Sequence, residues 1–390
     1  MNIVAQTPPP ATGLGPDRIQ AILLGHFIDV GYGRIEPPVL QEAATFLDLG
    51  GEDMRSRLYL TSDASGAELC LRPEYTIPAC RLYLASPEAG RPAAYSYFGP
   101  VFRVRSARSG EFLQAGLESF GRTDIAAADA EILTLALEAA TAAGAPPFRI
   151  SMGDAGLTAR FLDAIGLPAL WQRRLRRGLE RGQPLDAVLD GAPSGAPQRS
   201  GLVGALAGAD GKDARALVED LLSIAGIAAV GGRSVGEIAE RFLHQVAQQA
   251  SPGLGDERRA MLERFLGIRG DPDQASATLR TLARDARLDL AASLDLFDER
   301  LGFMAANGID VARLAFSAGF ARNLDYYTGF VFEARAVSET ETGGASPAET
   351  VLIGGGRYDR LAEALGSTAA IPAVGASIWV ERLAEYGAAA

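Results

Sequence analysis

Residues 94–121, AYSYFGPVFRVRSARSGEFLQAGLESFG, contain two strand-like runs around a polar turn. The runs cover 94–105 and 111–121, and the turn at 106–110 is rich in Ser, Arg and Gly. Two such runs joined by a short polar segment are typical of a long antiparallel hairpin. This part of the sequence therefore predicts antiparallel sheet structure.

Strand and helix patterns lie on both sides of the hairpin. The expected elements before and just after it are a helix at 17–29, strands at 58–60 and 68–71, and helices at 72–84 and 128–143. Strand patterns return later, at 314–318, 329–336, 350–353 and after 374. Between them the chain is rich in Ala, Leu and Arg at helical spacing, with breaks at Gly and Pro. We therefore expect an α+β core in which helices flank a mostly antiparallel sheet. This core is expected to have two parts, 1–157 and 309–390, and a mostly helical insertion at 158–308 separates them.

Composition limits the possible functions of the chain. Its 390 residues are 48% hydrophobic and carry a formal net charge of -11, so the long-range field repels a nucleic-acid backbone. Cys70 and Cys80 are its only cysteines, and with His26 and His244 they give no set of four zinc ligands and no disulfide framework. We expect a cytoplasmic protein with no membrane span, no metal and no cofactor, in which His26 is a partly buried helix residue.

One face of the second hairpin strand has unusual side chains for a core strand. A two-residue period places Phe112, Gln114, Gly116, Glu118 and Phe120 together. Gln114 and Glu118 would then project with only glycine between them, which leaves space for atoms of another molecule. Arg103 on the opposing strand would supply a positive charge. Equally, this polar face could simply meet water.

A second polar cluster, RNLDYYTG at 322–329, lies just before a predicted core strand. The Arg322 guanidinium suits a carboxylate or phosphate, and Tyr326 and Tyr327 each offer a donor and an acceptor. The alternative is a turn with an internal pair between Arg322 and Asp325.

Two further motifs have simpler interpretations. GGGRYD at 354–359 is expected to open a helix at Tyr358, where glycines favour close packing of helix on sheet rather than nucleotide binding. An arginine-rich stretch at 173–181, beside Trp171, is expected to be a solvated helix face rather than an RNA contact.

Taken in order, these segments resemble the catalytic domain of histidyl-tRNA synthetase, a class II aminoacyl-tRNA synthetase. LRPEYT at 71–76 resembles the LRPEGT element of that family, 98–103 resembles motif 2, and 323–327 stands where the family has RGLDYY. Segments 31–38 and 374–383 are similar to motifs 1 and 3.

The resemblance implies a class II synthetase-like fold and a histidine-binding pocket. In this pocket the amino group and imidazole of histidine would be held by Glu74, Thr76, Gln114 and Glu118. Other residues would complete the pocket: Arg322, Tyr326, Tyr327 and Tyr358. Arg103 would be the motif 2 arginine that faces a carboxylate or phosphate.

The sequence also departs from the synthetase pattern. Arg105 stands where the family has an acidic residue, the following loop is short, and Trp379 replaces a glycine near the adenine. The chain ends at Ala390, soon after motif 3, without an anticodon-binding domain. We therefore expect weakened ATP binding and no charging of tRNA.

This combination resembles the regulatory subunits of ATP phosphoribosyltransferase, which act with a short catalytic subunit in the first step of histidine biosynthesis. The resemblance implies no autonomous catalysis, a homodimer through motif 1 within a larger hetero-oligomer, histidine as effector, and neither tRNA nor membrane as partner. One alternative is a truncated enzyme that activates an amino acid for a non-tRNA acceptor, and another is a scaffold that binds no histidine. Whether histidine acts in the synthetase-like pocket or at a subunit interface stays open at this point.

Overall fold

A computed structural model describes residues 14–105, 108–190, 220, 229–230, 233–234, 254–320, 326–337 and 350–387. Internal contacts divide the chain into two units, one formed by 1–166 with 264–390 and the other by 167–263. The predicted insertion, 158–308, extends beyond the second unit at both ends. None of the helices that the structure describes is both long enough and apolar enough to cross a membrane.

The first unit is built on a mixed sheet of nine strands. In spatial order these are β1 (Gly33–Arg34), β5 (Ala93–Phe102), β6 (Glu111–Phe120), β14 (Ala373–Trp379), β13 (Val351–Arg357), β12 (Phe330–Ala336), β7 (Phe148–Asp154), β11 (Leu314–Ser317) and β10 (Arg269–Gly270). The pairs β1–β5 and β11–β7 are parallel and the others are antiparallel. The predicted α+β core with a mostly antiparallel sheet is confirmed.

The predicted hairpin is confirmed as the pair β5–β6. Ala93 is opposite Phe120 at one end and Phe102 is opposite Glu111 at the other, so ten residues pair on each strand. β14 covers the second edge of β6, from Phe120 paired with Ala373 to Gln114 paired with Trp379. Because both edges of β6 are paired and nearly all of its side chains are buried, this strand lies inside the sheet rather than at its rim.

A smaller sheet orders its strands as β2 (Leu40–Glu42), β4 (Glu68–Leu71) and β3 (Leu60–Ser62). The turn predicted between β3 and β4 is held by the Asp63 carboxylate, which accepts hydrogen bonds from the backbone N–H groups of Ser65 and Ala67 at 2.8 and 3.0 Å. β4 leads directly into the LRPEYT segment, so this small sheet positions the beginning of the next helix.

The helices of the first unit include those predicted at 17–29, 72–84 and 128–143, and one at 43–55 that was not predicted. They are α1 (Pro16–Asp29), α2 (Ala43–Arg55), α3 (Thr76–Leu84), α4 (Ile125–Ala142), α5 (Ala155–Ala164), α9 (Pro272–Asp285), α10 (Ala291–Ala306), α11 (Leu361–Ala364) and α12 (Val380–Gly387). α1 buries Ile19, Leu23, Leu24 and Phe27. His26 is partly buried, as expected, with Nε2 3.3 Å from Glu138 Oε2.

The glycine run at 354–356 does not open a helix, so that prediction was wrong. Gly354 to Gly356 continue β13, which pairs with β12 on one side and β14 on the other, and the short helix α11 begins only at Leu361. A Cβ on Gly355 would contact the Gly375 carbonyl and the Phe332 ring. The glycines therefore permit close packing within the sheet, because neighbouring strands and rings occupy the space that a side chain would need.

The second unit contains α6 (Ala169–Glu180), α7 (Leu185–Asp190), the strands β8 (Ala229–Val230) and β9 (Arg233–Ser234), and most of α8 (Asp256–Leu266). α6 buries Trp171 and Leu175 and exposes Arg173 and Arg177. This amphipathic pattern agrees with the predicted solvated face.

Candidate functional site

The candidate site lies on the face of the sheet where β5, β6 and β14 meet. Residues that pair directly across strands point to the same side, so Tyr97, Gly116 and Ser377 form one row, and Tyr95, Glu118 and Gly375 form the next. Gln114 and Glu118 are only 3% and 1% exposed. The alternative in which this polar face meets water is therefore wrong, since the helices and loops around it bury both polar side chains.

The Glu118 carboxyl is the centre of the hydrogen bonds at this site. It accepts a hydrogen bond from Thr76 Oγ1 at 2.7 Å and another from the Tyr358 hydroxyl. Burial raises the pKa of Glu118 to about 8, and the charge of Glu74 raises it further by a smaller amount. The two hydrogen bonds act in the opposite direction and lower the pKa. The carboxyl is thus mostly protonated at neutral pH.

Glu74 precedes α3, and its carboxylate binds the first N–H groups of this helix rather than projecting freely into the site. Its two carboxylate oxygens accept hydrogen bonds from the backbone N–H groups of Thr76 at 2.6 Å and Ile77 at 2.9 Å. Burial raises the pKa of Glu74, while these bonds and the charge of Arg103 act in the opposite direction. The cap fixes where α3 begins and so places the Thr76 hydroxyl next to Glu118.

Three tyrosines form one wall of the site. The Tyr326 ring is 5.2 Å from that of Tyr327 and 5.3 Å from that of Tyr358. Burial raises the pKa values of Tyr326 and Tyr358 above the ordinary tyrosine value, so both hydroxyls keep their protons and remain donors. The Tyr326 hydroxyl is buried and makes no hydrogen bond within the described part of the chain.

The structure describes eight of the nine predicted site residues. Six of them surround the carboxyl cluster: Glu74, Thr76, Glu118, Tyr326, Tyr327 and Tyr358. Gln114 lies further along the same face of β6, and Arg103 lies beside Pro73, ahead of α3, where its charge acts on Glu74. Arg322, with the rest of 321–325, lies outside the described residues. That these residues bind histidine stays a prediction.

The space expected above Gly116 is occupied by the protein itself. Tyr97 is directly opposite Gly116, and a Cβ at this glycine would overlap the Tyr97 hydroxyl. The space left by the absent side chain of Gly116 on β6 is thus filled by the Tyr97 side chain from the neighbouring strand β5. Similarly, a Cβ on Gly375 would overlap Glu118 Oε2 and come within 2.8 Å of the Tyr358 hydroxyl. Gly375, which sequence reasoning missed, is what admits the Glu118 carboxyl.

Arg72 joins three of the segments on which the resemblance rests. It is buried, donates from Nε to the Pro100 carbonyl at 2.9 Å and donates from Nη1 to the Pro37 carbonyl. Its guanidinium also lies 4.2 Å from the ring centroid of Tyr75, which in turn stacks on Tyr97 at 4.2 Å. The LRPEYT segment is therefore held against the motif 1-like and motif 2-like segments by one side chain.

Trp379 closes the other end of this face. Its ring stacks on Phe112 at 5.0 Å with an interplanar angle of 8°, and the Arg382 guanidinium lies 4.2 Å from the Trp379 ring centroid on the indole. Arg103 lies 5.4 Å from the same ring centroid and donates from Nε to the Pro73 carbonyl at 2.6 Å. An aromatic ring of the chain itself therefore lies against both Phe112 and Arg382.

Arg105 is tied to the motif 3-like segment. Nη2 lies 3.4 Å from Glu381 Oε1, Nε donates to the Ser109 carbonyl at 2.7 Å, and the guanidinium is 4.1 Å from the Phe112 ring centroid. The cation that replaces the family's acidic residue is thus paired with an acidic residue from another segment.

A buried charge network supports the tyrosine wall, and sequence reasoning missed it. Arg300 contacts Asp129 at 2.8 Å and Asp154 at 2.9 Å, and Arg357 contacts Asp129 at 2.8 Å and Asp359 at 2.7 Å. Asp129 and Arg300 are completely buried. Because Arg357 and Asp359 flank Tyr358, this network fixes the backbone on which Tyr358 reaches Glu118. The sequence did contain a signal for this network, because Asp129 lies on the otherwise apolar face of α4 and Arg300 lies on that of α10.

Comparisons with known proteins agree with the resemblance. A family model for histidyl-tRNA synthetase matches residues 15–230 and 214–383. Proteins of Brucella ovis and Brucella abortus, both named ATP phosphoribosyltransferase regulatory subunit, are 42% identical to this chain over 355 residues. The aligned regions cover 90% of this chain and 92% and 91% of the two relatives.

Two solved structures show the same fold. One, from Bacillus halodurans, is described as an ATP phosphoribosyltransferase regulatory subunit/histidyl-tRNA synthetase and gives a TM-score of 0.66 at 22% identity, with 99% of this chain and 84% of that chain covered. The other, histidyl-tRNA synthetase from a Nostoc species, gives 0.64 at 16% identity, with 98% and 74% covered. The synthetase-like α+β fold is thereby confirmed, and the chain belongs to the histidyl-tRNA synthetase-like family that includes the ATP phosphoribosyltransferase regulatory subunits.

Proposed function

We propose that this protein is the non-catalytic regulatory subunit of an ATP phosphoribosyltransferase. In this role it is required for the first step of histidine biosynthesis and transmits feedback by histidine. The observation that carries the proposal is the 42% identity to curated regulatory subunits over 90% of the chain. The buried hydrogen-bonding cluster of Glu118, Glu74 and three tyrosines supports a retained site for a small polar ligand, for which we propose histidine.

The geometry around Trp379 supports the absence of amino-acid activation. Its indole lies against Phe112 and Arg382, in the space near motif 3 where we expect a synthetase to place the adenine. Arg105 pairs with Glu381 instead of leaving a free acidic group beside the motif 2-like strand. Both contacts oppose ATP binding, because a nucleotide would have to displace a stacked ring and separate a partly buried ion pair.

The proposed partners are a short-form catalytic subunit and a second copy of this chain, within a larger hetero-oligomer. A homodimer through 31–38 is supported by the position of β1 at the edge of the sheet and by Val30 and Ile28, which are about half exposed beside it. A cytoplasmic location is supported by Cys70 and Cys80, which are buried free thiols. The net charge of -11 supports a role without tRNA.

Mixing the purified protein with a short-form ATP phosphoribosyltransferase tests the proposal. We expect a stable complex in size-exclusion chromatography and restored phosphoribosyl transfer that histidine inhibits. Failure to form a complex or to restore activity would defeat the assignment. Sustained histidine-dependent exchange between ATP and pyrophosphate by this protein alone would instead identify it as an amino-acid-activating enzyme.

A further inference from the structure

The buried Arg300 side chain is connected to the tyrosine wall through other residues. Its Nε donates to Asp129 Oδ2 at 2.8 Å, and its Nη1 donates to Asp154 Oδ2 at 2.9 Å. Arg300 is completely buried, and its guanidinium lies 5.1 Å from the Phe330 ring centroid. Within the described part of the chain, its hydrogen bonds are to these two carboxylates. Any effect of Arg300 on the three tyrosines must therefore pass through its partners.

Asp129 carries the connection to Tyr358. Its second carboxylate oxygen, Oδ1, accepts from Arg357 Nε at 2.8 Å, so each oxygen holds a different arginine. Arg357 Nη1 donates in turn to Asp359 Oδ1 at 2.7 Å, which holds both sequence neighbours of Tyr358 in one network. Because Asp129 is completely buried, a change in the direction of Arg300 is passed on to Arg357 rather than absorbed by solvent.

Thr328 extends the connection to the other two tyrosines. Its backbone N–H donates to the Arg357 carbonyl at 2.7 Å, and its hydroxyl accepts from the backbone N–H of Asp359 at 2.9 Å. Thr328 directly follows Tyr326 and Tyr327 in the sequence. The two segments that supply the wall are thus bonded to each other beside the charge network, so the network holds the backbone of all three tyrosines.

Stability alone does not account for a charge network at this place. It contains two arginines and three carboxylates, most of them buried: Arg300, Arg357, Asp129, Asp154 and Asp359. Replacing buried charges of this kind with apolar side chains of similar size is often neutral or stabilising. Charged side chains add direction, because their hydrogen bonds fix the orientation of both groups. Direction matters at the wall, since the Tyr358 hydroxyl has to meet the Glu118 carboxyl.

We propose that Arg300 is a positioning residue of the candidate site, which sets the placement of the tyrosine wall through Asp129. The inference rests on the proposed function, because histidine is the ligand proposed for the site beside this wall. Arg300 does not touch that ligand. A change at Arg300 therefore weakens binding by way of wall residues such as Tyr358, whereas general damage to the core acts independently of Tyr358.

Three variants of the full chain test this role. Arg300→Lys keeps the positive charge, but one ammonium nitrogen replaces the two separate donor nitrogens of the planar guanidinium. Tyr358→Phe removes the hydroxyl that donates to Glu118. Phe297→Ala is the matched control, because Phe297 is as buried as Arg300, lies one turn earlier on α10 and packs its ring against Phe316 of β11.

Double-mutant cycles measure the coupling in two ways. Calorimetry, at a temperature where every variant is folded, gives the affinity for L-histidine. Arg300→Lys should weaken this binding by about three- to thirtyfold, but by less than about twofold when Tyr358→Phe is already present. Phe297→Ala should change it by less than about twofold. In urea unfolding, the losses from Arg300→Lys and Tyr358→Phe should not add, whereas those from Phe297→Ala and Tyr358→Phe should add.

Two results would overturn the inference. One is additive losses for Arg300→Lys and Tyr358→Phe in unfolding, and the other is unchanged histidine binding by Arg300→Lys. If the wild type binds no histidine, the proposed ligand is wrong, and the unfolding cycle alone decides whether Arg300 positions the wall. If Arg300→Lys does not fold, Asp129→Asn takes its place in both cycles, because it keeps the shape of Asp129 and replaces one accepting oxygen with a donating NH2 group.

Discussion

Replacing Glu118 with glutamine should remove a pH dependence from the stability of the folded protein. The carboxyl is 1% exposed, and its burial raises the pKa to about 8 from an ordinary value of 4.5. Glutamine has nearly the same shape as a protonated glutamate, so its carbonyl oxygen can accept from one of the two hydroxyls, Thr76 or Tyr358, while its amide N–H group donates to the other. The variant therefore differs from the wild type mainly in that this position no longer titrates.

The direction and size of the effect follow from proton linkage. The pKa of Glu118 is higher in the folded protein than in the unfolded chain, so the folded state holds a proton over a range in which the unfolded chain has released it. The contribution of this group to stability is complete below about pH 4.5 and is lost as pH rises toward 8. At about 1.4 kcal/mol per pH unit over this interval, the loss is on the order of 5 kcal/mol.

Urea unfolding between pH 5 and 8.5 would measure this difference. The wild type and Glu118→Gln should have similar unfolding free energies near pH 5, and the variant should become progressively more stable than the wild type above pH 6. Glu36→Gln is the control, because the Glu36 side chain is 76% exposed and its removal should not change the slope. Parallel pH profiles for wild type and Glu118→Gln would refute the reasoning.

Other substitutions address the packing and charge that support the site. Gly375→Ala should destabilise the protein by about 1–3 kcal/mol, because the new Cβ overlaps Glu118 Oε2, whereas Gly302→Ala, with open space around it, should be neutral or slightly stabilising in thermal unfolding. Arg300→Met should cost about 3–5 kcal/mol in urea unfolding because it leaves Asp129 and Asp154 without this partner; a loss under 1 kcal/mol would show that the network contributes little. Trp379→Gly should increase the binding of a fluorescent ATP analogue by at least about tenfold in polarisation measurements if the indole blocks the adenine space, and unchanged binding would contradict that role.

Much of the fold could be predicted because local pattern and tertiary structure agree in the hairpin and in the helices. The hairpin alternation gave the face that carries Gln114 and Glu118, since a two-residue period holds whichever neighbours a strand acquires. The glycine run at 354–356 was misjudged for the opposite reason. Glycine has a low strand propensity, so the local sequence does not predict a strand here. The segment is a strand because it pairs with β12 on one side and with β14 on the other.

The interior of the site was less predictable than its outline. The sequence indicated that Gly116 leaves space, but which side chain occupies it depends on the register between β5 and β6, which brings Tyr97 opposite. Likewise, the contact between Arg300 and Asp129 joins residues 171 positions apart, and no local pattern encodes such a pairing. Residue identities thus indicated the chemistry of the site, whereas its closure depends on long-range geometry.

The position of β14 has a consequence for biosynthesis. This strand is the last of the nine in sequence, yet it lies between β6 and β13 near the middle of the sheet. During translation, β1, β5 and β6 can associate early, but they cannot join the strands on the other side until residues 373–379 have left the ribosome. The nascent chain therefore carries the unpaired edge of β6 from about residue 120 until β14 is made, and such an edge can pair with other chains. Completion of the candidate site and covering of the β6 edge therefore occur in the same late step.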